Sequence, residues 1–140
     1  MDWDWETPRE RLRRFESVLD DISAESDDTV IVVEGRKDEE ALRDLGVDGE
    51  YVRVSANGRS LSETAVRIST SYSSAVLLTD WDEHGNMLHS KLKRLLESYG
   101  VDPKTKYRGR LRSLSAKEVY DVESLSTHRT NLRRDASYEY

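Results

Sequence analysis

The chain of 140 residues contains no cysteine. A disulfide framework and a zinc–thiolate site are both excluded by that absence. No apolar stretch approaches the length needed to span a bilayer, and no signal-peptide pattern opens the chain. The expectation is a soluble, cytoplasmic protein. Internal repeats and low-complexity tracts are also missing. What is left is a length that suits one domain able to bury a core without staples.

Charge is abundant and unevenly placed. The formal net charge is −6, and residues 1–28 account for all of it, with ten acids against four arginines. The remainder is balanced, with 18 acids and 18 bases. The global acidity belongs to the N-terminal segment and leaves room for a nucleic-acid-binding face elsewhere. Arginine outnumbers lysine by 16 to six, a bias that suits a salt-rich cytoplasm.

Local patterns alternate between strand and helix. Thr7-Pro8-Arg9-Glu10 has the form of a capping box with proline at the first helical position. Leu12, Phe15, Leu19 and Ile22 then recur at helical spacing, which predicts a helix over 8–24. Val30-Ile31-Val32-Val33 is a β-branched run without alternation, the pattern of a strand covered on both faces. A short helix through Ala41, Leu42 and Leu45 stops at Gly46, and Tyr51–Val54 reads as a second strand. Asn57-Gly58 signals a turn. Ser60 and Glu63 open a helix that buries Leu61, Ala65 and Ile68. Ala75–Leu78 is a third strand, followed by a helix bearing Leu88, Leu92, Leu95, Leu96 and Tyr99. Within Lys104–Arg112 a short fourth strand is expected. Ser115 and Glu118 form another capping box ahead of Val119, Val122 and Leu125, and the tail beyond Ser126 reads as polar and poorly ordered. This alternation predicts an α/β fold: a mostly parallel four-stranded sheet flanked by helices, with an added N-terminal helix. Three segments follow from it: an acidic helical segment over 1–28, a central domain over 29–113, and a C-terminal helix with a polar tail over 114–140.

Functional groups in open parallel sheets gather beyond the carboxyl ends of the strands. The first strand ends at Glu34-Gly35. The third ends at Thr79-Asp80-Trp81-Asp82. If these strands are neighbours, Glu34, Asp80 and Asp82 converge. Clustered carboxylates repel unless a cation sits among them, and oxygen-only ligands select a hard ion, Mg²⁺ first and Mn²⁺ next. Gly35 and Gly85 permit close backbone passage, and the helix beginning near Gly85 offers N–H groups to an anion.

These residues carry a family resemblance. Glu34-Gly35-Arg36-Lys37-Asp38, with Thr79-Asp80-Trp81-Asp82-Glu83-His84-Gly85 downstream, resembles the Toprim domain. That module serves primases, type IA and II topoisomerases and small nucleases. The match is nearest to small archaeal stand-alone Toprim proteins, and it is similar to the ribonucleases that mature 5S ribosomal RNA. The Ser55–Gly58 turn is similar to one those nucleases carry after their second strand. The resemblance spans Val30 to Val101. It implies a Rossmann-like Toprim fold, Glu34 as a metal ligand and general acid or base, and Asp80 and Asp82 as metal ligands. Trp81 departs from the pattern, since proline often stands there. The primase and topoisomerase bodies are absent, which argues against those activities for this chain.

A second feature is Lys104, Lys106, Arg108, Arg110 and Arg112. On an extended segment these alternate bases share one face and could track phosphates. Lys37 is a further candidate phosphate contact, with an ordinary solvated lysine as the alternative. His89 and His128 read as surface residues, and Trp3, Trp5 and Trp81 as packing or base-stacking groups. Two functions remain open on this reading. One is a Mg²⁺-dependent endonuclease acting on RNA or DNA, with RNA favoured by the nuclease resemblance. The other is a non-catalytic metal- and nucleic-acid-binding module with a protein partner in an rRNA-processing or repair assembly. Phosphatases that form an aspartyl-phosphate start from an aspartate on the first strand, where this chain has Glu34, a poor substitute.

Overall fold

The computed structural model describes residues 6–54, 58–115 and 119–138. The Ser55–Asn57 part of the expected turn, Glu118 of the last capping box, and Trp3 and Trp5 lie outside the described residues. Helix α1 runs Pro8–Ser23, strand β1 Thr29–Val33, helix α2 Arg36–Asp44 and strand β2 Glu50–Arg53. Helix α3 follows at Leu61–Ser71, strand β3 at Ser74–Leu77 and helix α4 at Glu83–Ser98. Strand β4 spans Asp102–Lys104, helix α5 Lys106–Ser115 and helix α6 Leu125–Ala136.

The four strands are parallel, in the order β2-β1-β3-β4. The chain steps one way from β1 to β2, then returns past β1 to add β3 and β4. Its switch point lies between β1 and β3. All five residues of β1 are buried, as expected for a central strand covered on both faces. Ile31 and Val33 point into one apolar layer with Phe15, Leu19, Leu42, Leu111 and Leu132. Val30 and Val32 point into the other with Ala65, Ile68, Leu92 and Leu96. Helices α3 and α4 cover the second face, and α1, α2, α5 and α6 the first.

Local chemistry sets the helix ends. The Thr7–Glu10 capping box is formed in both directions. Gly46 takes φ +88° just past α2, a backbone conformation that costs other residues dearly. Tyr99, expected on the inner face of α4, is exposed and serves as its C-cap.

Several expectations are corrected. No helix runs through Val119 and Val122, because residues 119–124 are irregular and the last helix begins only at Leu125. Residues 106–115 form a helix, so the alternate bases do not share one face. The tail beyond Ser126 is helix α6, whose Leu125, His128, Leu132 and Ala136 are buried. The helix is hard to see in sequence because a histidine and an alanine occupy two of its four inward positions. His128 is 3% exposed and meets the Phe15 ring edge-on at 5.7 Å between centroids. Helices α1 and α6 therefore close one layer over the sheet together.

Because Leu132 sits fully inside that layer, Leu132→Ala is expected to lower the unfolding free energy by about 2–4 kcal/mol. Urea denaturation checks this. A loss under about 0.5 kcal/mol, the surface-substitution range, would restore the polar-tail reading.

Candidate metal centre

Glu34 follows β1 and Asp80 lies three residues beyond β3, on neighbouring strands. The switch point brings them into contact. The Asp80 main-chain N–H donates to Glu34 Oε2 at 2.7 Å, and both residues are half-buried. Asp82 is the N-cap of α4, where its Oδ1 accepts from the Gly85 N–H at 2.7 Å. It also lines an open cavity with Glu83, His84 and Met87. The α4 N-terminus is thus capped by the chain's own acid, and the Gly85 N–H expected to be open to an anion is already taken.

Gly85 is required by space. A Cβ built there would lie 1.9 Å from the Asp80 carbonyl oxygen and 2.5 Å from its carbon. Only a residue without a side chain lets the first turn of α4 press against the acid loop. Thr79 adds to the join by donating its hydroxyl to the Gly85 carbonyl at 2.8 Å.

Beneath the loop lies Arg108, 6% exposed. Its Nε donates to the Thr79 carbonyl at 2.9 Å, and its Nη2 donates to the Asp80 carbonyl at 2.6 Å and to Asn86 Oδ1 at 2.7 Å. Burial lowers its pKa first, with Arg112 adding to the effect, while the charges of Glu34, Asp80 and Asp82 oppose it. The charges of all three acids thus favour the cationic form of this one guanidinium. This was the central member of the expected phosphate-binding run, and the fold turns it inward instead.

The other bases disperse. Lys104 lies 3.6 Å from both Glu25 and Asp102. Arg110 pairs with Asp21 at 2.8 Å, and with Lys106 and Arg14 it lines a groove of about 750 Å³ between α1 and α5. Arg112 is exposed one helical turn beyond Arg108, and Lys37 is exposed beside Glu34 and Gly35.

Burial pushes the Asp80 carboxyl up to about 7. The N–H of Val122 opposes this by donating to Asp80 Oδ1 at 2.9 Å, while the charges of Glu34 and Asp38 and a side-chain hydrogen bond with Glu34 add to it. Asp38, bonded by the Gly35 N–H at 3.0 Å, is also raised, first by burial and then by Glu34, Glu123 and Asp121. Among the described residues no three carboxylates or histidines already stand as an ion-binding cluster. The donor chemistry nevertheless fits a hard divalent cation. Every candidate donor is an oxygen, and Asp80 holds near neutrality a proton that a cation could replace.

Comparison with known proteins comes to the same region. The Toprim domain family matches residues 29–114, more than half of the chain. A UPF0292 protein of Methanosarcina barkeri is 38% identical over 136 residues, covering 96% of this chain and 94% of that protein. One from Thermococcus onnurineus is 38% identical over 116 residues, covering 83% and 84%. A solved structure described as a putative protein from Aquifex aeolicus superposes with a TM-score of 0.65 at 23% identity, covering 77% of this chain and 94% of that one. At that identity the likeness speaks for the fold alone. None of these names specifies a reaction.

Two outcomes follow from the geometry. Gly85→Ala is expected to lose about 3 kcal/mol, the upper end for overpacking, in urea denaturation, and a neutral result would contradict the close approach. The second concerns pH. Folded Asp80 keeps its proton up to about 7, whereas the unfolded chain loses it near the ordinary carboxylate value of about 3.9. Stability from this group is therefore full below that lower value and is lost as pH rises to about 7. Asp38 acts in the same direction. In metal-free protein, Asp80→Asn should gain stability relative to wild type between pH 4.5 and pH 8. Parallel pH profiles for the two proteins would refute the shift.

Proposed function

The chain belongs to the Toprim domain family and is a relative of archaeal UPF0292 proteins, and from that premise we propose that it cleaves phosphodiester bonds in nucleic acid with Mg²⁺, RNA being the favoured substrate. Toprim membership brings divalent-metal binding and nucleic-acid chemistry as a class. The observation that carries the finer reading is the Glu34–Asp80 contact at two adjacent strand ends, with Asp82 two residues further on.

Glu34, Asp80 and Asp82 are the residues that would hold the ion, with Mn²⁺ a competent replacement for Mg²⁺. When bound, such an ion polarises a phosphate and activates water. We assign to Glu34, half-buried against the Asp80 N–H, the transfer of a proton at the reacting oxygen. Arg108 donates to the loop carbonyls of Thr79 and Asp80 and to the Asn86 amide of α4, so it fixes the acids in place and stays off substrate. Substrate phosphates are left to the exposed Lys37, three residues from Glu34, and to Arg112, one helical turn from Arg108, with Lys106 and Arg110 in the α1–α5 groove as a further track. Lys104 contributes least, being held between two acids.

Cleavage of structured RNA and single-stranded DNA in Mg²⁺, comparing wild type with Asp80→Asn, tests the reaction. Asp80→Asn is expected to lose at least about a hundredfold in rate, in keeping with the loss of a group that holds the metal. Equal cleavage by both proteins would remove this site as the catalyst. Binding of RNA without turnover by wild type would favour the binding-module reading. Independently, millimolar Mn²⁺ should raise the melting temperature of wild type, through ligand linkage, and leave that of Asp80→Asn unchanged.

A further inference from the structure

Residues 119–122 lie beyond the matched family region, yet they touch the acid loop at three points. The Trp81 main-chain N–H donates to the Tyr120 carbonyl at 3.0 Å. The Trp81 indole Nε1–H donates to the Val119 carbonyl at 2.6 Å. In return, the Val122 N–H donates to Asp80 Oδ1 at 2.9 Å. Trp81 is 4% exposed and shares one apolar cluster with Val119, Val122 and Leu125. It is therefore closed to base stacking, and both of its N–H groups are committed to one short segment.

We infer that Trp81 is a positioning residue for the acid site: it clamps the 119–122 strap onto the loop, and the strap in turn orients the Asp80 carboxylate. The donors that residue 81 possesses decide this role. A proline at this position would have neither a main-chain N–H nor an indole. Tryptophan supplies two donors at once, and both reach carbonyls of the same segment. A buried tryptophan that merely filled space would need one partner for its indole. This one instead brings in a segment whose Val122 N–H donates to a proposed metal ligand. Outer partners of this kind fix a ligand's orientation and tune its affinity. The metal half of the inference rests on the proposed function, whereas the clamp itself does not.

The test uses the full chain and Trp81→Phe, which keeps the apolar ring and the main-chain N–H but removes the indole donor. Two readouts separate the parts. Amide hydrogen exchange in metal-free protein reports the Val122 N–H directly. Titration with Mn²⁺, followed calorimetrically, reports the ligand set. Trp81→Phe is expected to speed Val122 exchange at least tenfold and to weaken Mn²⁺ binding about tenfold, the lower end for loss of an outer partner, with a native circular-dichroism spectrum. Leu132→Ala serves as the control for general loosening of the same apolar layer. It should lower stability while leaving Mn²⁺ affinity in the folded protein at the wild-type value. Wild-type exchange and wild-type affinity in Trp81→Phe would overturn the inference, as would an equal loss of affinity in Leu132→Ala. If wild type itself fails to bind Mn²⁺, the metal reading falls, and Val122 exchange alone decides the clamp.

Discussion

A buried guanidinium holds this site together. Arg108 has left water, so its charge must be met by fixed oxygens. The fold supplies three of them, two from the main chain of Thr79 and Asp80 and one from Asn86. Because the guanidinium is a planar fork, meeting it in several directions fixes the loop's path as well as its charge. The loop then determines where Asp80 and Asp82 stand and how closely α4 can approach. The three acids return the favour by stabilising the cation that orders them. Lysine, a compact point charge, would satisfy the electrostatics but not the geometry.

This mutual dependence explains an arrangement that is otherwise costly. Buried Asp38 and half-buried Glu34 and Asp80 crowd one corner of the sheet, and Asp80 responds by retaining a proton. Such strain is tolerable at a switch point, where the strand ends are rigid on both sides and the glycine at 85 removes the last steric obstacle. It is also where a perturbed acid is most informative about chemistry. The anion site expected at the α4 N-terminus was an inference from helix electrostatics alone. The structure shows that Asp82 occupies the capping position, so this acid serves the helix as well as the proposed ion.

How much could be read in the residues follows from which interactions are local. The strand run Val30–Val33, the Thr7–Glu10 box and the Gly46 stop each express a rule acting over a few positions, and each is found in the structure. So is the adjacency of β1 and β3, because parallel α/β sheets have few orders to choose from. Helix α6 was missed because its inward face borrows His128 and Ala136, residues that carry little hydrophobic signal. The basic run is ambiguous because its charges alone do not distinguish a strand from a helix. Gly109 and Leu111 within it fit a helix equally well, and burial of Arg108 depends on partners some 20 to 30 positions away. For the strap a clue was present in plain view, a tryptophan where proline is usual, but nothing in the sequence tells which segment its donors reach.

The pairing of α1 with α6 and the seating of 119–122 on the acid loop have a bearing on how the chain comes to be finished. Synthesis runs from the N-terminus, so the loop bearing Asp80 and Asp82 emerges before the strap and well before α6. Until those last elements arrive, Phe15, Leu19 and the outer face of β1 lack their cover, and Asp80 lacks the Val122 N–H. The nascent chain thus displays its acids before it can arrange them. The order of the acid loop therefore depends on a segment synthesised some 40 residues after it.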